Sequence, residues 1–294
     1  MLILISDAFD PSLEGRLAKY GEVTTDKDRL GEANVVLVRS KTKCTREYID
    51  QAPNLKMIVR GGVGTDNIDK VYCAEKGIIV HNTPKAPSIA VAELAFAMML
   101  AVPNNLIKAH QSMSEGKWIK KELKRTELNG KTLGLVGIGN IAQAVATRAK
   151  AFGMNVIAYD KFVETSDKAD LKPTLEGMVA EADYISLHLP LTDDTMHLIN
   201  KDVIGKMKDG AVVINTGRGR TVDSTDMIAA LESGKIAAYA TDVWPSDPPP
   251  ADYPLLKAPN VYMAPHLGAS SKENLLRIGD EVCERVEELT GGQS

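Results

Sequence analysis

One short stretch limits the possible folds more than any other. The strand-like run Thr132-Leu-Gly-Leu-Val136 passes directly into Gly137-Ile-Gly139-Asn-Ile-Ala142, which opens a helical pattern ending near Phe152. A strand that turns at once into a helix needs a residue tolerant of positive φ, and Gly137 supplies it. Gly139 lets backbone approach a pyrophosphate, and Ala142 keeps a small side chain where helix and sheet pack closely. The helix N-terminus then offers N–H groups and a positive dipole end to phosphate charge. The next strand-like run, Asn155-Val-Ile-Ala-Tyr159, ends in Asp160, about 20 residues beyond the glycines, where a carboxylate accepts hydrogen bonds from an adenosine ribose and repels a 2'-phosphate. A structural turn with a surface Asp is the plain alternative. Strand, turn, helix and acid in register favour a dinucleotide site for NAD rather than NADP.

The rest of the chain extends this pattern. Apolar runs at 2–5, 35–38, 55–59 and 78–80 alternate with amphipathic stretches, and a second series stands at 132–136, 155–159, 184–187, 211–215, 237–240 and 261–263. Such alternation predicts parallel βαβ units, and so two Rossmann-like or flavodoxin-like doubly wound α/β domains with a cleft between them. A long apolar helix from Ser88 to Val102, stopped by Pro103, crosses from one series to the other, and a final helix over 271–289 is expected to pack back onto the first domain. The expected domains are therefore a discontinuous substrate domain, 1–98 plus 268–294, and an NAD-binding domain, 99–267.

Composition excludes several classes. A net charge of −4 leaves no basic field for nucleic acid. Cys44, Cys73 and Cys283 are widely spaced and form neither a disulfide framework nor a metal knuckle, so no metal and a reducing cytoplasm are expected. The opening LILIS reads as a strand rather than a leader, and the longest apolar run is too short to span a bilayer, so no membrane partner is expected.

Three segments fall at the ends of strands, where open α/β sheets place their ligands: Ile214-Asn-Thr-Gly-Arg218-Gly219, Thr241-Asp-Val-Trp-Pro-Ser-Asp247-Pro248 and Ala264-Pro-His266-Leu-Gly268. Arg218 can hold a carboxylate through its planar fork. His266 can exchange a hydroxyl proton, and Asp247, bonded to the other ring nitrogen, can fix its tautomer. Taken singly, each has a bland role open to it: a salt-bridged loop arginine, a turn former before prolines, a satisfied structural histidine. Together, behind a nucleotide fold, they point to catalysis.

The stretches 38–45, 62–69, 82–95, 116–142, 215–219 and 264–273 carry a resemblance to the D-isomer-specific 2-hydroxyacid dehydrogenases, and ELNGKTLG and PHLGAS are its most specific parts. The resemblance implies a catalytic set of Arg218, Asp247 and His266. It implies cofactor contacts from Gly137, Gly139, Asn140, Ile141, Asp160, Leu189, Pro190, Thr216, Gly217, Asp242 and Gly268. It also implies a homodimer through the crossing helix and the segment reaching Gly116. Asp247 departs from the family's usual Glu and is one methylene shorter, so its loop must sit closer to His266 or bridge through water. Gly217 stands where Ala is frequent. Longer family members continue past the last helix into a regulatory region, whereas this chain stops at Ser294, so an unregulated short form is expected.

Substrate choice is expected to rest on Arg39-Ser40 and Arg60-Gly61-Gly62, each following a strand of the first series. Two arginines there make a pocket for a second anionic group beyond the carboxylate, as 3-phosphoglycerate carries. Solvated or salt-bridged loop arginines are the alternative. A glyoxylate or hydroxypyruvate reductase, which needs no phosphate pocket, is the nearer competing function. A nicotinamide-sensing corepressor is the distant one.

Overall fold

The structure is a computed structural model that describes residues 1–291; residues 292–294, with which the expected substrate domain ends, lie outside the described residues. The chain divides into two units, one formed by Met1–Ala90 with the chain from Ala269 onward, the other by Val91–Gly268.

The first unit runs β1 (Leu2–Ile5), α1 (Ser12–Leu17), β2 (Glu22–Thr24), β3 (Val35–Val38), α2 (Arg46–Asp50), β4 (Met57–Arg60), α3 (Lys70–Glu75) and β5 (Ile79–Asn82). Its five parallel strands lie in the order β2-β1-β3-β4-β5. Side chains alternate across a strand, so each strand feeds two cores. Ile3, Val35, Leu37, Met57 and Val59 enter one, while Leu4, Val36, Val38 and Ile58 enter the other.

The crossing helix α4 (Ser88–Ala101) is followed by α5 (Leu106–Ser114). The second unit then continues through β6 (Thr132–Val136), α6 (Asn140–Ala151), β7 (Asn155–Tyr159), β8 (Asp170–Leu171), α7 (Leu175–Glu181), β9 (Tyr184–Leu187), α8 (Lys201–Lys206), β10 (Ala211–Asn215), α9 (Ser224–Glu232), β11 (Ile236–Thr241) and β12 (Val261–Met263). Its seven parallel strands follow the order β12-β11-β10-β9-β6-β7-β8. Winding reverses between β6 and β9, and a sheet that reverses there opens a ligand crevice at the strands' carboxyl ends. Leu133, Leu135, Val212 and Ile214 pack under α4 and α6, and Val136, Val213, Ile236 and Tyr239 pack on the opposite face.

The last helix, α10 (Lys272–Thr290), returns to the first unit. Ile278, Val282 and Val286 recur every four residues and are fully buried, each contributing about 1.5–3 kcal/mol by leaving water. Arg16 on α1 pairs with Asp280 at 2.6 Å beside them.

Three elements were not expected from sequence: β2, β8 and α5. The two strands are sheet edges of three and two residues, too short and too polar to show alternation. Among the described residues no single helix is long and apolar enough to cross a membrane; α4 and α5 reach that composition only as a pair bent by 64°.

Candidate active site

The turn after β6 is built around two glycines, Gly137 and Gly139. Gly137 has φ 88°, and a Cβ there would meet Leu189 Cδ2 at 2.9 Å and the His188 carbonyl oxygen at 3.1 Å. Gly139 is different, because a Cβ would meet nothing within 4 Å. Protein packing therefore gives no reason for glycine at 139, and a ligand approaching the backbone does. Gly139 also serves as the N-cap of α6 and offers no side-chain oxygen to its first N–H groups. By contrast α2, α3, α7, α8, α9 and α10 are each capped by their own Thr, Asp, Asn or Ser. The donors of Asn140, Ile141 and Ala142 are thus left for an anion.

Two further observations fit a dinucleotide at this place. Asp160, at the end of β7, accepts the Ile138 N–H at 2.9 Å through Oδ2 and the Phe162 and Val163 N–H groups at 2.9 and 3.2 Å through Oδ1. Thr216, at the end of β10, is buried and its hydroxyl has no hydrogen-bond partner among the described residues. Leu189 lies against both Gly137 and Gly217: a Cβ at 217 would come within 3.1 Å of the Leu189 carbonyl. Pro190 follows it, exposed, its carbonyl held by Thr195 at 2.7 Å.

Arg218 begins the short turn after β10, on a loop organised by Asn215. The fully buried Asn215 amide accepts the Gly217 N–H at 3.0 Å and donates to the Arg218 carbonyl at 2.9 Å and the Tyr239 hydroxyl at 3.2 Å. The guanidinium donates to the Gly217 carbonyl at 2.8 Å. Burial pushes the Tyr239 phenol up to about 12, so it stays a neutral partner in this network.

His266 and Asp247 are brought together directly. His266 Nδ1 hydrogen-bonds to Asp247 Oδ2, which leaves Nε2 as the nitrogen available to a substrate. No intervening water is needed to span the methylene that Asp lacks relative to Glu. The imidazole sits at a backbone φ of 57°, a conformation that costs a non-glycine residue about 1 kcal/mol or more. Asp242 holds that turn, accepting Leu267 N–H at 2.7 Å and Gly268 N–H at 2.8 Å. Burial raises the Asp242 carboxyl above its ordinary value, and those two N–H bonds and His266 oppose the rise. Gly268 has no room for a side chain, since its Cβ would stand 3.1 Å from Asp242 Oδ2.

The first unit carries the remaining expected residues. Arg60 is buried at 8% exposure at the end of β4, and its guanidinium occupies the space where Gly62 lacks a side chain: a Cβ on Gly62 would fall 1.5 Å from Nη1. Gly61 fits against Phe9 and Ile278. Arg39 donates from Nη2 to the Ala269 carbonyl at 2.9 Å and from Nη1 to that of Ala8 at 3.4 Å, while its buried Nε has no hydrogen-bond partner among the described residues. Ser40 is exposed. Among the described residues no three His, Cys, Asp or Glu side chains gather as a metal site.

Sequence reasoning missed supporting residues in each unit. Asn215 and Trp244 lie inside the quoted motifs without a role of their own. Asp7, which accepts the Arg39 and Thr42 N–H groups at 2.6 and 3.1 Å, carried no signal. A carboxylate closing a strand end onto the next loop is the pattern that identifies it.

Residues 96–268 match the model of the D-isomer specific 2-hydroxyacid dehydrogenase, NAD binding domain. The chain is 46% identical to a hydroxypyruvate reductase of Thermotoga maritima over 90% of each chain. It is 42% identical to a D-3-phosphoglycerate dehydrogenase of Methanocaldococcus jannaschii, over 99% of this chain and 58% of that relative. The chain thus spans little more than half of the latter protein. A crystal structure of a D-lactate dehydrogenase from Aquifex aeolicus, complexed with NAD and lactic acid, superposes with a TM-score of 0.89 at 30% identity, covering 99% of this chain and 96% of that one.

Proposed function

We propose that this chain, which belongs to the D-isomer-specific 2-hydroxyacid dehydrogenase family, is an NAD-dependent enzyme that oxidises D-3-phosphoglycerate to 3-phosphohydroxypyruvate and catalyses the reverse reduction. The observation that carries the chemistry is the His266–Asp247 pair, with Nε2 left for substrate. Bound NAD supplies the acceptor for the hydride that leaves C2. In oxidation His266 Nε2 takes the C2 hydroxyl proton, and in reduction it returns one to the forming alkoxide. Asp247 holds the ring in the tautomer that leaves Nε2 free and stabilises the imidazolium that forms. Arg218 binds the carboxylate and polarises the neighbouring carbonyl. The contacts of Gly137, Gly139, Asn140, Ile141, Asp160, Leu189, Pro190, Thr216, Gly217, Asp242 and Gly268 with the dinucleotide, Asp242 near its carboxamide, are part of the same proposal.

The phosphorylated substrate is favoured by Arg60, a buried cation at a strand end whose space depends on Gly62. A guanidinium gives a phosphate charge-assisted hydrogen bonds that a hydroxymethyl group does not match. Ser40, Gly61 and Gly62 are proposed to line the same place, with Arg39 fixing the loop that carries Ser40. A second reading, reduction of hydroxypyruvate, is favoured by the likeness to the Thermotoga maritima reductase, which extends over 90% of both chains. A substrate panel separates the two. With NADH, kcat/KM for phosphohydroxypyruvate should exceed that for hydroxypyruvate and glyoxylate by tenfold or more; the opposite order selects the second reading. We further propose a cytoplasmic homodimer built on α4 and α5, supported by the exposed apolar side chains of Ile89, Leu106, Ile107 and Met113. A monomeric mass by sedimentation would overturn it.

A further inference from the structure

Arg218, Asp247 and His266 stand on three separate loops, and Trp244 touches all of them. It lies three residues before Asp247 on the loop that follows β11. Its backbone abuts the arginine loop: a Cβ on Gly219, the residue after Arg218, would come within 2.4 Å of the Trp244 carbonyl carbon and 2.6 Å of its oxygen. Its indole Nε1 donates to the Ala264 carbonyl at 3.0 Å, two residues before His266. Tyr253 backs the ring edge-on, with centroids 6.3 Å apart and planes at 81°. The cavity left among Val222, Tyr239, Trp244 and Tyr253 is about 10 Å³, no more than a single water needs.

We propose that Trp244 is a positioning residue that fixes the separation between Arg218 and the His266–Asp247 proton relay. The role rests on the dehydrogenase reading given above. Loops are ordinarily the most mobile parts of a domain, yet an arginine clamp and a proton relay must act on one small molecule whose carboxylate and reacting carbon are bonded neighbours. An error of 1 Å in such an arrangement can cost about 100-fold in rate. The turn bearing His266 is held downstream by Asp242, through Leu267 and Gly268. Upstream it is held by Ala264, whose N–H bonds to Thr241 at 2.9 Å and whose carbonyl takes the indole N–H. Removing that N–H frees one side of the turn while leaving Asp242 in place. Gly219 works from the other direction, because only a residue without a Cβ lets the arginine loop rest against Trp244.

Trp244→Phe keeps an aromatic ring against Tyr253 and deletes the donor. In the full-length chain it should lower kcat for the 2-oxo acid about tenfold, and leave the NAD dissociation constant within about twofold. It should also move the titration midpoint of the His266 imidazole, read by NMR. Gly219→Ala leaves the indole in place and displaces the arginine loop, so it should raise KM for the 2-oxo acid about tenfold with the His266 titration unchanged. It also tests the link should Trp244→Phe fail to fold. Unchanged kcat and an unchanged His266 titration in Trp244→Phe overturn the proposal, as does unchanged KM in Gly219→Ala. So does an NAD dissociation constant that rises in step with the loss of turnover, the mark of general loosening. If the wild-type protein turns over no 2-oxo acid, the dehydrogenase reading fails, and the His266 titration still decides whether Trp244 holds that turn.

Discussion

The Ile138 N–H donates to Asp160 Oδ2 at 2.9 Å, so the carboxylate expected to select NAD also ties the glycine turn to the end of β7. Phe162 and Val163 occupy Oδ1. A carboxylate has about four acceptor positions, and three of them are already used by backbone.

Cofactor preference and local stability should therefore change together at this residue. Wild-type protein is expected to bind NAD at least tenfold more tightly than NADP. Asp160→Ala should weaken NAD by about tenfold or more and lower the melting temperature, because it leaves three N–H groups to solvent. Calorimetric titration with both cofactors, beside thermal melts, checks this. Equal NAD and NADP affinity in the wild type would remove Asp160 from the selectivity role.

The direct contact between Asp247 and His266 sets a second expectation. His266→Ala should reduce kcat by roughly 100-fold to 10,000-fold, the usual contribution of general acid and base assistance, with NAD affinity retained. Asp247→Asn should reduce it less and shift the pH profile of kcat, since the amide cannot stabilise an imidazolium. Asp247→Glu should also lose rate, because the loop already brings the shorter acid into contact and a longer one must fold back or push His266 aside. A Glu variant faster than wild type would mean that the Asp is a compromise rather than a fit.

Much of the fold is legible in the sequence alone, for identifiable reasons. Strands such as β6, β10 and β11 send alternate residues into two cores, and their apolar runs show in the sequence. The Gly137 turn was legible because a strand that passes at once into a helix needs a residue tolerant of positive φ, and Gly137 has φ 88°. What stayed hidden depends on tertiary approach. The Trp244 to Ala264 bond spans 20 residues and the bonds from Leu267 and Gly268 to Asp242 span 25 and 26. No local pattern announces them. The Arg39 bonds are of the same kind, since Nη2 reaches the carbonyl of Ala269, 230 residues away, and Nη1 that of Ala8, 31 residues away.

His188 yields an expectation about acid stability. Burial drives its imidazole down to about 4; among the described residues Nε2 is partnered by Ser186 Oγ at 2.9 Å and Nδ1 has no hydrogen-bond partner. The folded state keeps the ring neutral while the unfolded chain takes up a proton near 6.5. Stability from this residue is thus fully present above pH 6.5 and falls as pH drops from 6.5 toward 4, by up to roughly 3 kcal/mol. Urea unfolding at pH 7.5 and 4.5 measures the slope, and His188→Gln should flatten it. An equal slope in the variant would assign the acid sensitivity to other groups.

Arg39 and Arg60 were expected to act alike and should now behave differently. Arg39 anchors backbone through the Ala8 and Ala269 carbonyls, so Arg39→Ala should lower stability by about 1 kcal/mol through the loss of these hydrogen bonds and affect all substrates in proportion. Arg60→Ala removes a buried cation beside Gly62. If that cation receives a phosphate, KM for phosphohydroxypyruvate should rise tenfold or more while hydroxypyruvate reduction stays nearly constant, because the carboxylate proposed to bind Arg218 is common to both. The ratio of the two kcat/KM values is the measurement, and it cancels any general loss of folded protein. A ratio that falls only for Arg60→Ala assigns the phosphate to Arg60. A ratio unchanged by Arg60→Ala removes the phosphate pocket and leaves hydroxypyruvate as the substrate to pursue.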